Sequence, residues 1–134
     1  MMTKVFEVGQ TGSFSKTITE TDVVLFAGIS GDLNPAHINE VEASKGMFKK
    51  RIAHGMLGAS LISTVLGMYL PGPGTIYLGQ NLKFLKPVAI GDTLTAMATI
   101  VEKDEKGWLK LETTVTNQEG VVVISGHAKV IPPK

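Results

Sequence analysis

The chain contains no cysteine, which excludes disulfides, thiolate nucleophiles and cysteine-held metals together. It lacks an excess of charge of either sign: 13 Lys and Arg stand against 12 Asp and Glu, for a net charge of +1. A nucleic-acid binder carries a strongly basic footprint, so no nucleic-acid partner is expected. A long uninterrupted apolar run is also missing. The longest, residues 55–70, is broken by Ser60, Ser63, Thr64 and three glycines. It falls short of the roughly 20 apolar residues that cross a bilayer. Residues 1–7 hold no signal-peptide apolar core. The expectation is a soluble, cytoplasmic protein with no membrane partner.

What remains is an apolar chain of modest size. Its 134 residues fit a single domain, 1–134, long enough to bury a core. Hydrophobic residues make up 43% and charged residues 19%, and the mean hydropathy of +0.19 is high for a small domain. A homodimer that hides part of this apolar surface is therefore expected.

The pattern along the chain divides it into a helical N-terminal half and a stranded C-terminal half, without repeats or linkers. Residues 4–18 read as extended, interrupted by glycines within 9–12. Thr19 is placed to cap a helix, with Asp22 three positions on as a short capping box. Val23, Val24, Phe26 and Ala27 supply that helix with an apolar face, and Gly28 and Gly31 weaken its end. A turn over 32–37 leads to a short helix over 39–45, capped by Asn39. The main helix is predicted over 55–69, where apolar residues run all the way round. Such a helix is buried on most sides, and Gly58 and Gly67 are expected to admit close neighbours. Pro71-Gly72-Pro73-Gly74 ends it. Strands are predicted over 75–86, 93–102, 108–116 and 121–131, with hairpin turns at 104–107 and 117–120. The fold class is α+β: an antiparallel meander curved around one long helix, with an open sheet edge that a second copy could pair.

One stretch carries chemistry. Ser30-Gly31-Asp32-Leu33-Asn34-Pro35-Ala36-His37 sets a carboxylate five residues before an imidazole, and His54-Gly55-Met56 opens the apolar run. With Phe26-Ala27 before it, and Ile76-Tyr77-Leu78-Gly79-Gln80, Phe84, Pro87-Val88 and Gly91-Asp92 after it, the chain resembles the MaoC-like branch of the hot-dog fold, in particular its (R)-specific 2-enoyl-CoA hydratases. The match spans essentially the whole chain. The resemblance implies a hydro-lyase that adds water to trans-2-enoyl-CoA and yields the (R)-3-hydroxyacyl-CoA. It implies a homodimer with coenzyme A near the subunit interface, and it carries Asp32 and His37 over as the catalytic pair, with Asn34 helping to hold the water.

The chemistry of that reaction asks for the same groups. Attack of water at carbon 3 of an enoyl thioester builds charge on the thioester oxygen. A group must take a proton from water, a proton must reach carbon 2, and the oxygen needs a donor. No metal or organic cofactor is required. Asp32 is expected as the base, with burial beside Leu33 and Ile29 raising its basicity; His37 orients the water and donates. How the two divide these tasks is left open. Gly55, at a helix N-terminus with unpaired N–H groups, is the expected oxyanion donor. Ser63, Leu66 and Ile131 are expected to line an acyl channel, with bulk at Leu66 and Ile131 favouring short chains.

Plainer readings stand beside these. Taken alone, residues 32–37 also read as a turn with a nearby surface histidine. His54 is expected to bond backbone near the helix start, and His127 to sit on a sheet face. Lys45, Lys49, Lys50 and Arg51, with Lys83 and Lys86, form either solvated loops or a capture site for coenzyme A phosphates. Asp32, His37 and His54 lack a familiar metal-ligand spacing, so no metal is expected. Acyl-ACP could replace acyl-CoA as substrate. Two rival functions remain: a thioesterase, which delivers water to the carbonyl carbon, and a non-catalytic acyl-CoA-binding module.

Overall fold

Thr19 does what its position predicts. In the computed structural model, which describes residues 5–134, its hydroxyl accepts from the Asp22 amide at 3.1 Å and the Asp22 carboxylate accepts from the Thr19 amide at 2.9 Å. This capping box opens helix α1, Glu20–Ser30, and Gly31 closes it at φ 79°, a left-handed geometry that costs glycine little. The first extended segment is strand β1, Thr11–Thr17; a turn at Val8 and Gly9 precedes it, and Lys4 lies outside the described residues.

Two short helices follow. The segment 32–37, expected as a turn only, holds helix α2, Pro35–Ile38, capped by Asn34. Proline at the first helical position suits it, since the missing N–H would have been unpaired there. Helix α3, Glu40–Ser44, is capped by Asn39 as expected, whose side chain accepts from the Glu42 amide at 3.1 Å. Helix α4, Gly55–Met68, is the long central element.

The sheet has five antiparallel strands in the order β1-β3-β4-β5-β2, with β2 at Ile76–Phe84, β3 at Thr93–Lys103, β4 at Leu109–Thr116 and β5 at Val122–Ile131. Together with the central helix this is the hot-dog α+β architecture. Both predicted hairpins form, closed by Asp104 and Asn117, whose side chains accept backbone amides across their turns. The meander expected of all four C-terminal strands covers only three. Strand β2 pairs with β5, and not with its sequence neighbour β3. Residues 85–92 carry no tight-turn signal and cross the sheet's end; Val88 accepts from the Ala53 amide at 2.8 Å, and Ala89 bridges Ile52.

Strand alternation sets the core. Leu109, Leu111 and Val115 are fully buried while Lys110 and Glu112 face solvent, the period-two pattern of a sheet with one covered face. Ile62, Val65 and Leu66 of α4 meet Leu94, Ile100 and Ile124 in the same cluster. Each such side chain contributes about 1.5–3 kcal/mol by leaving water. Gly58 packs tightly: an added Cβ would lie 3.2 Å from Ile124 and 3.4 Å from Leu94. Gly67 has no such neighbour, and Met56 and Met68 are exposed. The helix is thus buried on the sheet side and open on the other, because the sheet covers it over only part of its circumference. No helix among the described residues is long and apolar enough to cross a membrane.

Candidate active site

The loop between α1 and α2 is organised by its own short polar side chains. Asp32 Oδ1 accepts from the Asn34 amide at 3.2 Å, and Asn34 Oδ1 accepts from the Ala36 amide at 3.0 Å. These local bonds bend the chain, as Asx side chains do, and bring His37 round toward Asp32. His37 Nδ1 donates to the Ile52 carbonyl at 2.8 Å. A carbonyl can only accept, so the Nδ1 proton is fixed and, in the neutral ring, Nε2 carries the lone pair.

A second histidine backs the first. His54 Nε2 donates to the main-chain carbonyl of Asp32 at 2.9 Å, the backbone role expected of it. Its ring stacks on that of His37 with centroids 3.9 Å apart, and the Phe26 ring lies 4.9 Å away on a tilted plane. One ligand-capable atom each of Asp32, His37 and His54 lie within 4.8 Å of one another. Near-parallel stacked rings point their in-plane lone pairs side by side, whereas a tetrahedral cation needs them to converge. The cluster fits a hydrogen-bonded solvent molecule better than a metal.

His54 is also the N-cap of α4. Its carbonyl accepts from the Leu57 amide at 3.1 Å, and Gly55 follows as the first helical residue, where backbone N–H groups have no partner within the helix. His37 and Gly55 both line a cavity of about 350 Å³ whose remaining walls are mainly apolar: Phe48, Ile52, Phe84, Pro87, Val88 and Ile124 among them. An added Cβ at Gly55 would fall 2.9 Å from the Phe84 ring, so only glycine leaves the helix head open beneath that ring.

Several expectations need correcting. Asp32 is exposed, as are its neighbours Leu33 and Ile29; apolar burial of its carboxyl is absent because the loop runs along the surface. The three residues expected along an acyl channel lie apart. Ser63 is exposed, Leu66 is buried in the core, and Ile131 borders a separate cavity with Phe6 and Trp108. None of them lines the cavity beside His37. Arg51 is not a free phosphate binder: its Nε donates to the His37 carbonyl and its Nη1 pairs with Glu20, each at 2.7 Å. Lys45 pairs with Glu42 at 3.2 Å, while Lys86 borders the cavity. Arg51 and Phe84 were missed as site residues. Their partners lie 14 and 29 positions away (from 51 to 37, and from 84 to 55), beyond the reach of any local pattern.

Comparison with known proteins identifies the family of this fold. The family model described as a MaoC like domain matches residues 5–122. An (R)-specific enoyl-CoA hydratase of Rhodospirillum rubrum is 55% identical over 93% of this chain and 87% of its own length. A second, of Aeromonas caviae, is 40% identical over 99% of this chain and all of its own. A 3-hydroxybutyryl-CoA dehydratase of Methylorubrum extorquens is 44% identical over 96% of this chain and 82% of its own. Among solved structures, the unliganded R-hydratase of Pseudomonas aeruginosa superposes with a TM-score of 0.92 at 46% identity, over 96% of this chain and 83% of that one. The (R)-hydratase of A. caviae, described as involved in PHA biosynthesis, superposes at 0.94 over 98% of this chain and all of that one.

Proposed function

The chain belongs to the MaoC-like dehydratase family, and from that premise we infer that it is an (R)-specific enoyl-CoA hydratase. It is a hydro-lyase that adds water to trans-2-enoyl-CoA and, in reverse, dehydrates (R)-3-hydroxyacyl-CoA, the direction acted on by its dehydratase relative. The observation that carries the reading is the grouping beside one apolar cavity: His37 and Gly55 at the head of α4 line its wall, and Asp32, outside that lining, holds a carboxylate oxygen within 4.8 Å of a His37 ring nitrogen.

The proposed steps follow from the hydrogen bonds. Because His37 Nδ1–H is committed to Ile52, only Nε2 exchanges protons with substrate. Asp32 takes a proton from the bound water as the water oxygen bonds to carbon 3. The carbon 2–carbon 3 π pair moves toward the thioester, whose oxygen is met by the Gly55 N–H, and protonated His37 delivers its Nε2 proton to carbon 2. Asp32 then returns its proton to His37, directly or through water, and the inventory balances. Asn34 Oδ1 accepts from the Ala36 amide, and its amide nitrogen donates to the water. Apolar walls keep other solvent away and strengthen the Gly55 contact.

The working unit is a homodimer of this one-domain chain, and its substrate is an acyl-CoA, with acyl-ACP as the other carrier sharing the thioester arm. Lys86 at the cavity's border supplies a cation for a phosphate on that arm. An (R)-3-hydroxyacyl-CoA product suits polyester synthesis or fatty-acid metabolism.

Crotonyl-CoA tests the reading. Purified protein is expected to remove the enoyl absorbance, to yield the (R)-3-hydroxy product on chiral analysis, and to release no free thiol. Asp32→Asn and His37→Gln should each lower kcat by about 10²–10⁴-fold, the usual contribution of an acid–base group, with an unchanged circular-dichroism spectrum. Thiol release instead would make the protein a thioesterase; binding without turnover would make it a carrier module.

A further inference from the structure

His54 is a buried group that the proposed steps leave idle. It is 2% exposed and is absent from the walls of the cavity beside His37. Its Nε2–H reaches the Asp32 carbonyl at 2.9 Å, its face lies on the His37 ring at 3.9 Å, and its own carbonyl starts the α4 ladder one residue before Gly55. One residue thus touches or adjoins all three residues assigned to the reaction: Asp32 at its main chain, His37 at its ring and Gly55 along the chain. Its Nδ1, by contrast, is buried with no hydrogen-bond partner among the described residues. An unpaired buried nitrogen lowers stability, and an apolar ring would fill the space without that penalty. What an apolar ring cannot supply is the Nε2–H.

We infer that His54 is a positioning residue that holds the Asp32 loop, the His37 ring and the helix head at Gly55 in mutual register. The inference rests on the hydratase reading of Asp32 and His37. The hydrogen bond does most of the holding, and the stacked face adds to it. The hydrogen bond pins the Asp32 main chain, which otherwise runs exposed along the surface, and so sets where its carboxylate starts. The stacked face blocks His37 from rotating away from Asp32, while the Ile52 carbonyl holds its far edge. Displacement of a reacting group by about 1 Å can cost on the order of 100-fold in rate, which is the scale on which such a support acts.

The experiment separates holding from filling. His54→Gln keeps an N–H donor near the Nε2 position but loses the ring. His54→Phe keeps the ring and its stack but loses the donor, and it removes the unpaired nitrogen. On crotonyl-CoA, Gln is expected to keep kcat within about 3-fold, whereas Phe should lose about 10- to 100-fold in kcat at near-constant KM. Thermal unfolding should rank the two the other way, with Phe the more stable. A structural role alone makes activity follow stability, so a Phe variant that is both more stable and fully active overturns the inference, as does a Gln variant that falls as far as Phe. Crystal structures of the wild type and of the Phe variant give a reading that needs no turnover: Asp32 is expected to shift away from His37, and an unchanged Asp32–His37 separation overturns the proposal. If the wild type itself leaves crotonyl-CoA untouched, the hydratase reading fails, and the structural arm still judges His54.

Discussion

Gly55 shows how much a single missing methyl group can decide. It begins α4, where the backbone amide has no partner within the helix, and the Phe84 ring closes over it so that a Cβ would sit 2.9 Å from two ring carbons. Phe84 is 51% exposed, so in a Gly55→Ala protein the ring can swing outward at little cost. Alanine also favours the helical state over glycine by about 0.8–1 kcal/mol at interior positions, and by less at a terminus. Stability should therefore change by less than about 1 kcal/mol in either direction. Turnover is a different matter, since the displaced ring and the new methyl both crowd the cavity that Gly55 and Phe84 line. We expect kcat/KM for crotonyl-CoA to fall about 10- to 100-fold, less than the roughly 10²–10³-fold that follows outright removal of an oxyanion donor, with an unfolding midpoint near that of the wild type. Adding Phe84→Leu should recover part of the loss if the ring causes the crowding. Turnover equal to wild type in Gly55→Ala would remove Gly55 from the mechanism.

At the scale of elements, the head of α1 supports the site from a distance. Asp22 closes the capping box and also accepts from Lys16 Nζ at 2.6 Å. The Lys16 hydrogen bond, helped by the Thr19 contacts, holds the Asp22 carboxyl below its ordinary 3.8 despite some burial. A depressed folded value means that the ionised group stabilises the fold above the unfolded value, and that this is lost as pH falls through the folded one. In urea unfolding, wild type should exceed Asp22→Asn at neutral pH, and the gap should close as pH drops below 3.8; a gap that persists in acid would mean that the charge is not the cause. One residue from the cap, Glu20 receives Arg51 Nη1 while Arg51 Nε holds the His37 carbonyl. A lysine is a point charge and cannot span both, so Arg51→Lys should lower kcat several-fold by loosening α2, about 1 kcal/mol of lost support at one hydrogen bond. The same elements show what could be read in advance. The Thr19 and Asn39 caps, the glycine that ends α1 and the two hairpins are local signals within four residues, and they form as predicted. Helix α2 was missed because Asn34-Pro35 reads equally as a turn and as a helix start. The pairing of β2 with β5 and the ring of Phe84 over Gly55 depend on where residues 85–92 cross the sheet, and no spacing in the sequence encodes that crossing; the Arg51 strap joins residues 14 and 31 positions away.

The whole molecule leaves its sheet open at the β2 edge. Strand β2 ends the order β1-β3-β4-β5-β2, so one row of its backbone groups has no strand neighbour among the described residues. Several of its side chains are apolar and about half open to solvent, with Ile76 54%, Leu78 45% and Phe84 51% exposed, and Leu85 continues the strip at 49%. Lone proteins blunt such edges with charge, proline or short strands. Here the strand runs nine residues with Lys83 as its sole ionised side chain at neutral pH. The exposed flank of α4, with Met68 and Tyr69, adds to the apolar surface. An edge of this kind is either an aggregation hazard or half of a joint, and a C2 pairing of β2 with a second β2 would complete the sheet and cover the strip. We therefore expect light scattering to give twice the 14.3 kDa of one chain, and Leu78→Lys to shift the mass toward that of one chain. The cavity beside His37 takes Phe84 and Leu85 from the end of this strand. Separating the subunits should then raise KM for crotonyl-CoA as well as lower the mass, because the cavity wall loses its support. A wild-type mass of 14.3 kDa at every concentration would rule out the dimer. A Leu78→Lys monomer with wild-type KM would show that the site is complete within one chain, and that the joint serves solubility alone.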